Sequence, residues 1–258
     1  MAFSQQRQHT EYFHLSFLAL LGAKLDKQAY ALKGGANLRF FLRSIRHSEG
    51  MDFDVGAIEV QDLRARVAAI LKSGKIETML AVRGIRIEHV TDAKHTATTQ
   101  RWKIGLLIPG SELPVPTKIE FSRRRALSGT AFETVDPLLV REHRIAPFFA
   151  CHYPAAAAWL QKVEALASRA VPQARDVFDL HFLQVSGAVD PAGMRTSLPA
   201  ELLEQARERC LAIAFDEFKG QVLSFLPPEQ QGSYDTPAVW EDMTLRVLDA
   251  LESSDATH

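Results

Sequence analysis

The tightest constraint on what this chain can fold into lies in residues 30–55, YALKGGANLRFFLRSIRHSEGMDFDV. Gly34 and Gly35 follow the apolar run Tyr30-Ala31-Leu32 and precede Leu38-Arg39-Phe40-Phe41-Leu42, so a strand, a Gly-Gly turn and a buried helix are expected in succession. Without Cβ atoms the backbone can turn sharply and approach a ligand closely, and the unpaired N–H groups of a helix start favour a phosphate there. The same pair also serves as a plain turn, and no Gly-Lys-Ser or Gly-Lys-Thr completes a Walker loop.

In Gly50-Met51-Asp52-Phe53-Asp54-Val55 the even positions carry Gly and two Asp, the odd ones Met, Phe and Val. Strand alternation sets Asp52 and Asp54 on one face and the apolar trio on the core face. Carboxylates about 7 Å apart along a strand can converge on a divalent cation, and such cations neutralise a triphosphate during in-line displacement. A half-buried strand with a polar outer face reads the same way. Glu120 adds a third acid, because Ile119 and Phe121 face the core while Lys118, Glu120 and Ser122 face away. It can complete a metal shell or take a hydroxyl proton, or simply be solvated.

With 258 residues, 47% of them hydrophobic, the chain can bury a full core in one large or two modest domains. A net charge of −1 argues against a protein coated for nucleic acid, leaving local groups such as Arg123-Arg124-Arg125 to meet phosphates. Cys151 and Cys210 are far apart with no CxxC, as expected of reduced core thiols. No run approaches the ~20 apolar residues of a membrane span, and MAFSQQRQHTEY lacks the layout of a signal peptide. The expected location is the cytoplasm.

Helical spacing of Phe13, Phe17, Leu20 and Leu21 predicts a helix over 11–21 closed by Gly22, and Leu63, Val67, Ile70 and Leu71 another over 61–72 with Gly74 as its C-cap signal. Residues 85–90, 102–108 and 117–122 read as strands separated by polar, Pro- and Gly-containing turns. From about residue 150 the chain reads as helical, its last helix opening on Thr236 as N-cap and Pro237. The expectation is an α+β fold, with a core over 1–148 and a helical domain over 149–258 that closes a cleft.

The helical half carries a second charged constellation. Lys162 and Arg169, seven apart, share a helix face suited to straddling a triphosphate or to plain solvation. Arg175 and Asp179 are spaced as a surface i,i+4 pair, while Asp176, beside Val177 and Phe178, suits a semi-buried hydrogen-bonded acid.

Together these motifs resemble the AbiEii/AbiGii toxin nucleotidyltransferases of the polymerase-β-like superfamily. Residues 32–39 match the glycine motif, 46–53 the run carrying the metal aspartates, and 162–169 and 175–179 the two downstream helical motifs. The resemblance implies a polymerase-β-like core, a mixed sheet with flanking helices, followed by a helical bundle. It implies a bacterial toxin–antitoxin or phage-defence enzyme that moves a nucleoside monophosphate from a Mg²⁺-bound NTP to a hydroxyl, with tRNA as acceptor and a cognate antitoxin protein as partner. Gly34, Gly35, Lys162 and Arg169 would bind nucleotide; Asp52 and, on a looser strand match, Glu120 would hold metal; Asp52, Glu120 and Asp176 would be the catalytic acids. Strand alternation offers Asp54 as a second metal ligand beside Asp52, in a pair shifted about 7 Å along the strand. Gly50 stands where the family's Ser-Glu-Asp-x-Asp run has its first Asp. This departure makes a weakened nucleotide- or RNA-binding module, or a toxin remnant acting through an antitoxin, the alternative. Two expectations follow: Gly50→Asp is tolerated by the strand and restores a paired site if the family site is otherwise kept, whereas it brings no gain if Asp52 and Asp54 are already the working pair; and Lys162→Ala weakens NTP binding more than it weakens the fold.

Overall fold

The computed structural model describes residues 2–252, with side chains from residue 5 onward. The chain divides into two compact units, one of Met1–Arg43 and His47–Tyr153, the other of Ser44–Arg46 and Pro154–His258.

The first unit runs α1 (Ala2–Gly22), β1 (Tyr30–Lys33), α2 (Gly34–Phe41), β2 (Gly50–Val55), α3 (Val60–Leu71), α4 (Gly74–Ala81), β3 (Arg86–His95), β4 (Thr99–Leu107), β5 (Val115–Ser122), β6 (Ala131–Thr134), α5 (Pro137–Glu142) and β7 (Phe149–His152). Its seven strands form one mixed sheet in the order β3-β4-β5-β2-β1-β7-β6. β1 and β2 are antiparallel, whereas β2 with β5 and β1 with β7 are parallel. The apolar side of the alternating strands builds the core: Phe53 stacks on Phe121 at 4.7 Å, and Trp102 meets Phe121 edge-on. Tyr12, Phe13, Leu15, Phe17, Leu18 and Leu21 are all buried, so α1 is enclosed on most of its circumference.

Three local readings change. Gly74 does not end α3; it opens α4, with Ser73 as the N-cap accepting from the Ile76 N–H at 3.3 Å. Gly22 is the last residue of α1, which begins well before residue 11. Residues 149–152, expected at the head of the helical half, form a strand, so the compact division falls after Tyr153. At four residues each, β6 and β7 are too short to show a period; β7 exists because β1 offers it a parallel edge, Leu32 opposite His152.

The second unit contains α6 (Ala155–Ser168), α7 (Ala174–Val185), α8 (Pro191–Arg195), α9 (Ala200–Leu211), α10 (Phe215–Gln221), a 3₁₀ turn (Leu223–Phe225), α11 (Pro228–Tyr234) and α12 (Pro237–Leu251). α6 packs on α7 and α9, and α12 on the same two helices. Trp159, Val163, Phe178, Cys210, Phe218, Trp240 and Val247 are buried between them, with Phe218 stacked on Trp240 at 4.9 Å. Thr236 caps α12 by accepting from the Val239 N–H at 3.4 Å. Both cysteines are free and buried. Among the described residues no helix is long and apolar enough to cross a membrane.

Candidate active site

The polar face of the sheet carries a row of charges set by register. Lys33 on β1 is opposite Asp52 on β2, Asp52 opposite Glu120 on β5, and Glu120 opposite Arg101 on β4. Register partners project to the same side, so two cations flank two acids. The row ends where β1 runs straight into α2, whose first two residues are Gly34 and Gly35, so the turn expected between strand and helix is absent. Gly34 has φ +70, the left-handed conformation that glycine adopts without strain, and a Cβ there would lie 3.3 Å from Asp52 Oδ2. α2 starts at this glycine, and its N-cap, Lys33, makes no side-chain capping bond.

The loop leading into β2 is pinned by side chains. Ser48 Oγ donates to the Gly50 carbonyl and Thr117 Oγ1 to the Glu49 carbonyl, both at 2.8 Å. Thr117 Oγ1 also lies 2.7 Å from Nε2 of buried His14. Burial pushes the His14 imidazole down to about 4, against the opposing pull of the Glu11 and Asp52 carboxylates. Glu11 is buried too; burial alone would raise its carboxyl, but His143 at 2.9 Å, His47 at 3.2 Å and Arg39 at 2.7 Å hold it well below the usual range.

The three strand acids have different surroundings. Asp54 is 1% exposed, with Lys33 Nζ at 2.5 Å from Oδ1 and the Tyr153 hydroxyl donating to Oδ2 at 3.0 Å. Burial, followed by this carboxylate, raises the Tyr153 phenol well above its ordinary value. Glu120 accepts from Arg101 Nε at 2.6 Å. Asp52 is 36% exposed at its side chain, and Lys118 Nζ lies 3.9 Å away. The expected metal set of Asp52, Asp54 and Glu120 is therefore not assembled: two of the acids are turned to basic neighbours. Among the described residues no three His, Cys, Asp or Glu side chains are grouped to hold a metal. Position 50 cannot supply the missing ligand either, because a Cβ there would lie 2.5 Å from Lys118 Cγ and 2.7 Å from the Lys118 carbonyl oxygen. The strand does not tolerate Gly50→Asp without moving β5. Of the three acids Asp52 keeps the most exposed side chain and the most distant cation.

The second unit's constellation is a buried ion network. Lys162, 7% exposed, sits with Nζ 2.8 Å from Asp176 and 2.6 Å from Asp179, both fully buried. Arg46 donates to Asp179 through Nε and Nη2 at 2.8–3.1 Å. Arg169 Nε lies 2.9 Å from Asp176 Oδ2 without hydrogen-bond alignment, and its side chain remains 40% exposed. Burial alone would raise the Asp179 carboxyl; Arg46 and Lys162 together hold it below its ordinary value. Asp179 is thus not half of a surface pair with Arg175, and Asp176 is a buried acid hydrogen-bonded by Lys162 with the partly exposed Arg169 beside it.

Sequence reasoning assigned no role to Lys33, Lys118, Tyr153, Arg101 or Arg46. Lys33 and Lys118 were within its reach, one abutting the glycines and the other on the Glu120 face; Arg46 and Tyr153 carry no local signal.

Several solved structures share the fold. MenT4, a nucleotidyltransferase toxin from Mycobacterium tuberculosis H37Rv, aligns with a TM-score of 0.67 at 16% identity over 99% of this chain and 87% of that one. JHP933 from Helicobacter pylori aligns with a TM-score of 0.59 at 16% identity over 95% and 93% of the two chains. No curated protein matches. The nucleotidyl transferase AbiEii toxin family, of type IV toxin–antitoxin systems, matches residues 16–253, and with the glycine pair, the charged row and the helical unit already in place, the chain belongs to that family of nucleotidyltransferases.

Proposed function

We propose that this nucleotidyltransferase binds an NTP at the Gly34-Gly35 pair and transfers its nucleoside monophosphate to an RNA hydroxyl, with tRNA as acceptor. The hydroxyl oxygen bonds to the α-phosphorus, the bond to the bridging oxygen of the β-phosphate breaks, pyrophosphate leaves with the electron pair, and the hydroxyl proton passes to solvent. The observation that carries this reading is the position of Asp52 beside the start of α2, with Oδ2 3.3 Å from where a Cβ at Gly34 would stand, which sets a partly exposed carboxylate next to phosphate-favouring N–H groups. Nucleotidyl transfer typically uses a divalent ion. Magnesium carried by the triphosphate would meet Asp52, the strand acid left half-exposed. In the second unit Arg169 is the cation of the network that stays open to a phosphate. Membership of a type IV toxin–antitoxin family supports a cognate antitoxin as partner and a growth-inhibiting role.

The test is incubation of the full chain with each α-labelled NTP and total RNA. Label entering the tRNA fraction, and lost in Asp52→Asn, supports the proposal; the absence of transfer to any RNA or protein overturns it. A second reading, nucleotide binding without transfer, is favoured by the closed state of Asp54 and the missing carboxylate at position 50. Tight NTP binding with no transfer would establish it.

A further inference from the structure

The space that a side chain at position 50 would fill is taken by Lys118. The two residues are register partners on the parallel strands β2 and β5, and the lysine stem lies across the glycine, with Cγ at 2.5 Å and Cε at 3.3 Å from where a Cβ would stand. The ammonium ends 3.9 Å from Asp52 Oδ1, beyond hydrogen-bond reach, with the lysine 38% exposed. Glu120, two residues along β5 on the same face, is turned to Arg101 at 2.6 Å. Asp54, the other acid of β2, is held by Lys33 and Tyr153. A positive charge is therefore built into the protein beside Asp52, whose Oδ2 also lies 3.3 Å from where a Cβ at Gly34 would stand.

Two carboxylates are needed to hold a second divalent ion, and one is missing here. A lysine needs none, since its ammonium is a compact permanent charge with three donors. We propose that Lys118 grips a non-bridging phosphate oxygen of the NTP, supplying from the protein the positive charge that a paired-aspartate site takes from a second metal ion. Gly50 is then the complement of Lys118: removal of the carboxylate and its Cβ leaves the channel along which the lysine reaches the phosphates. This inference rests on the proposed nucleotide site and predicts that the site holds NTP without metal. A charge-assisted contact of this kind, once lost, costs about tenfold or more in affinity.

The experiment is equilibrium binding of each α,β-methylene NTP to the full chain, in EDTA and in Mg²⁺, for the natural protein, Lys118→Ala and Lys118→Arg. Thermal unfolding of each variant confirms the folded state. The natural chain is expected to bind one or more NTPs in EDTA, Lys118→Ala to lose that binding at least tenfold, and Lys118→Arg to recover most of it. Equal metal-free affinity in Lys118→Ala and the natural chain overturns the inference, as does natural binding that vanishes in EDTA. Should the natural chain still label tRNA in either case, the lysine role fails while the nucleotidyltransferase reading stands. If no NTP binds under any condition, both fail.

Discussion

At position 50 a single added carbon would come within 2.7 Å of a backbone oxygen on the neighbouring strand, a contact that only movement of β5 relieves. Gly50→Asp is therefore expected to destabilise the protein by about 1–3 kcal/mol, the usual cost of overpacking, and to reduce nucleotide binding by displacing Lys118. Thermal unfolding and NTP affinity of the variant check both. Asp54 behaves differently from its neighbour two residues earlier. Its buried carboxylate has a cationic and a phenolic partner, so Asp54→Ala should cost about 2–3 kcal/mol, read as a shifted urea midpoint. His14 provides a pH test. Its folded-state value of about 4 lies below the ordinary 6.5, so the unfolded chain takes up a proton first as the pH falls. The contribution of this group is complete above pH 6.5 and is lost as the pH falls towards 4. Between pH 7 and pH 5 the natural chain should lose about 1–2 kcal/mol from this source, and His14→Gln should lose correspondingly less in urea titrations at the two pH values.

Elements are held in this protein by charges as well as by apolar faces. α6 and α7 are joined through Lys162, which satisfies two buried aspartates of α7, and Asp179 takes a second cation from Arg46. Removing the lysine charge leaves Asp176 and Asp179 with less compensation in the interior, so Lys162→Met should cost about 3–5 kcal/mol. This stability cost stands beside the expectation that Lys162→Ala weakens NTP binding, and measuring both in one variant compares them. Arg169→Ala, two-fifths exposed, should cost under about 1 kcal/mol. Parallel denaturant titrations of the two variants provide the check, and equal effects would contradict the network's role. In the sheet, β3 is an exposed edge strand whose pairing with β4 is interrupted by register shifts between Ile87 and His89 and between Asp92 and Lys94. Such irregularities and the charged residues Arg86, Glu88, Asp92 and Lys94 discourage pairing with another chain.

For the whole molecule, the route of the chain matters as much as its composition. Residues 44–46 leave the first unit, contribute Arg46 to the ion network of the second, and return before β2 begins. A fragment covering 154–258 therefore lacks the guanidinium that compensates Asp179. It should melt below the full chain, and Asp179→Asn should destabilise the fragment less than the full chain, because part of the interaction is already absent. Circular dichroism melts of the four proteins check this; equal effects of the substitution would show that Arg46 contributes nothing to the network.

Local periodicity in the sequence was enough to reveal the alternation of β2 and β5, the long helices and the capped start of α12, because each depends on neighbours within a few residues; the glycines expected as a turn are instead the first two residues of α2. Those motifs, in order along the chain, also carried the family. What they left open was decided by pairing over long distances. Lys33 meets Asp54 from 21 residues away and Arg46 meets Asp179 from 133. Only the parallel register of β2 with β5 sets Lys118 against Gly50. A charge written in the sequence has many possible partners, and the tertiary structure chooses among them by register and burial. That choice separated Asp52, left half-open beside the glycine pair, from Asp54, which alternation had placed on the same face but packing enclosed with a lysine and a tyrosine.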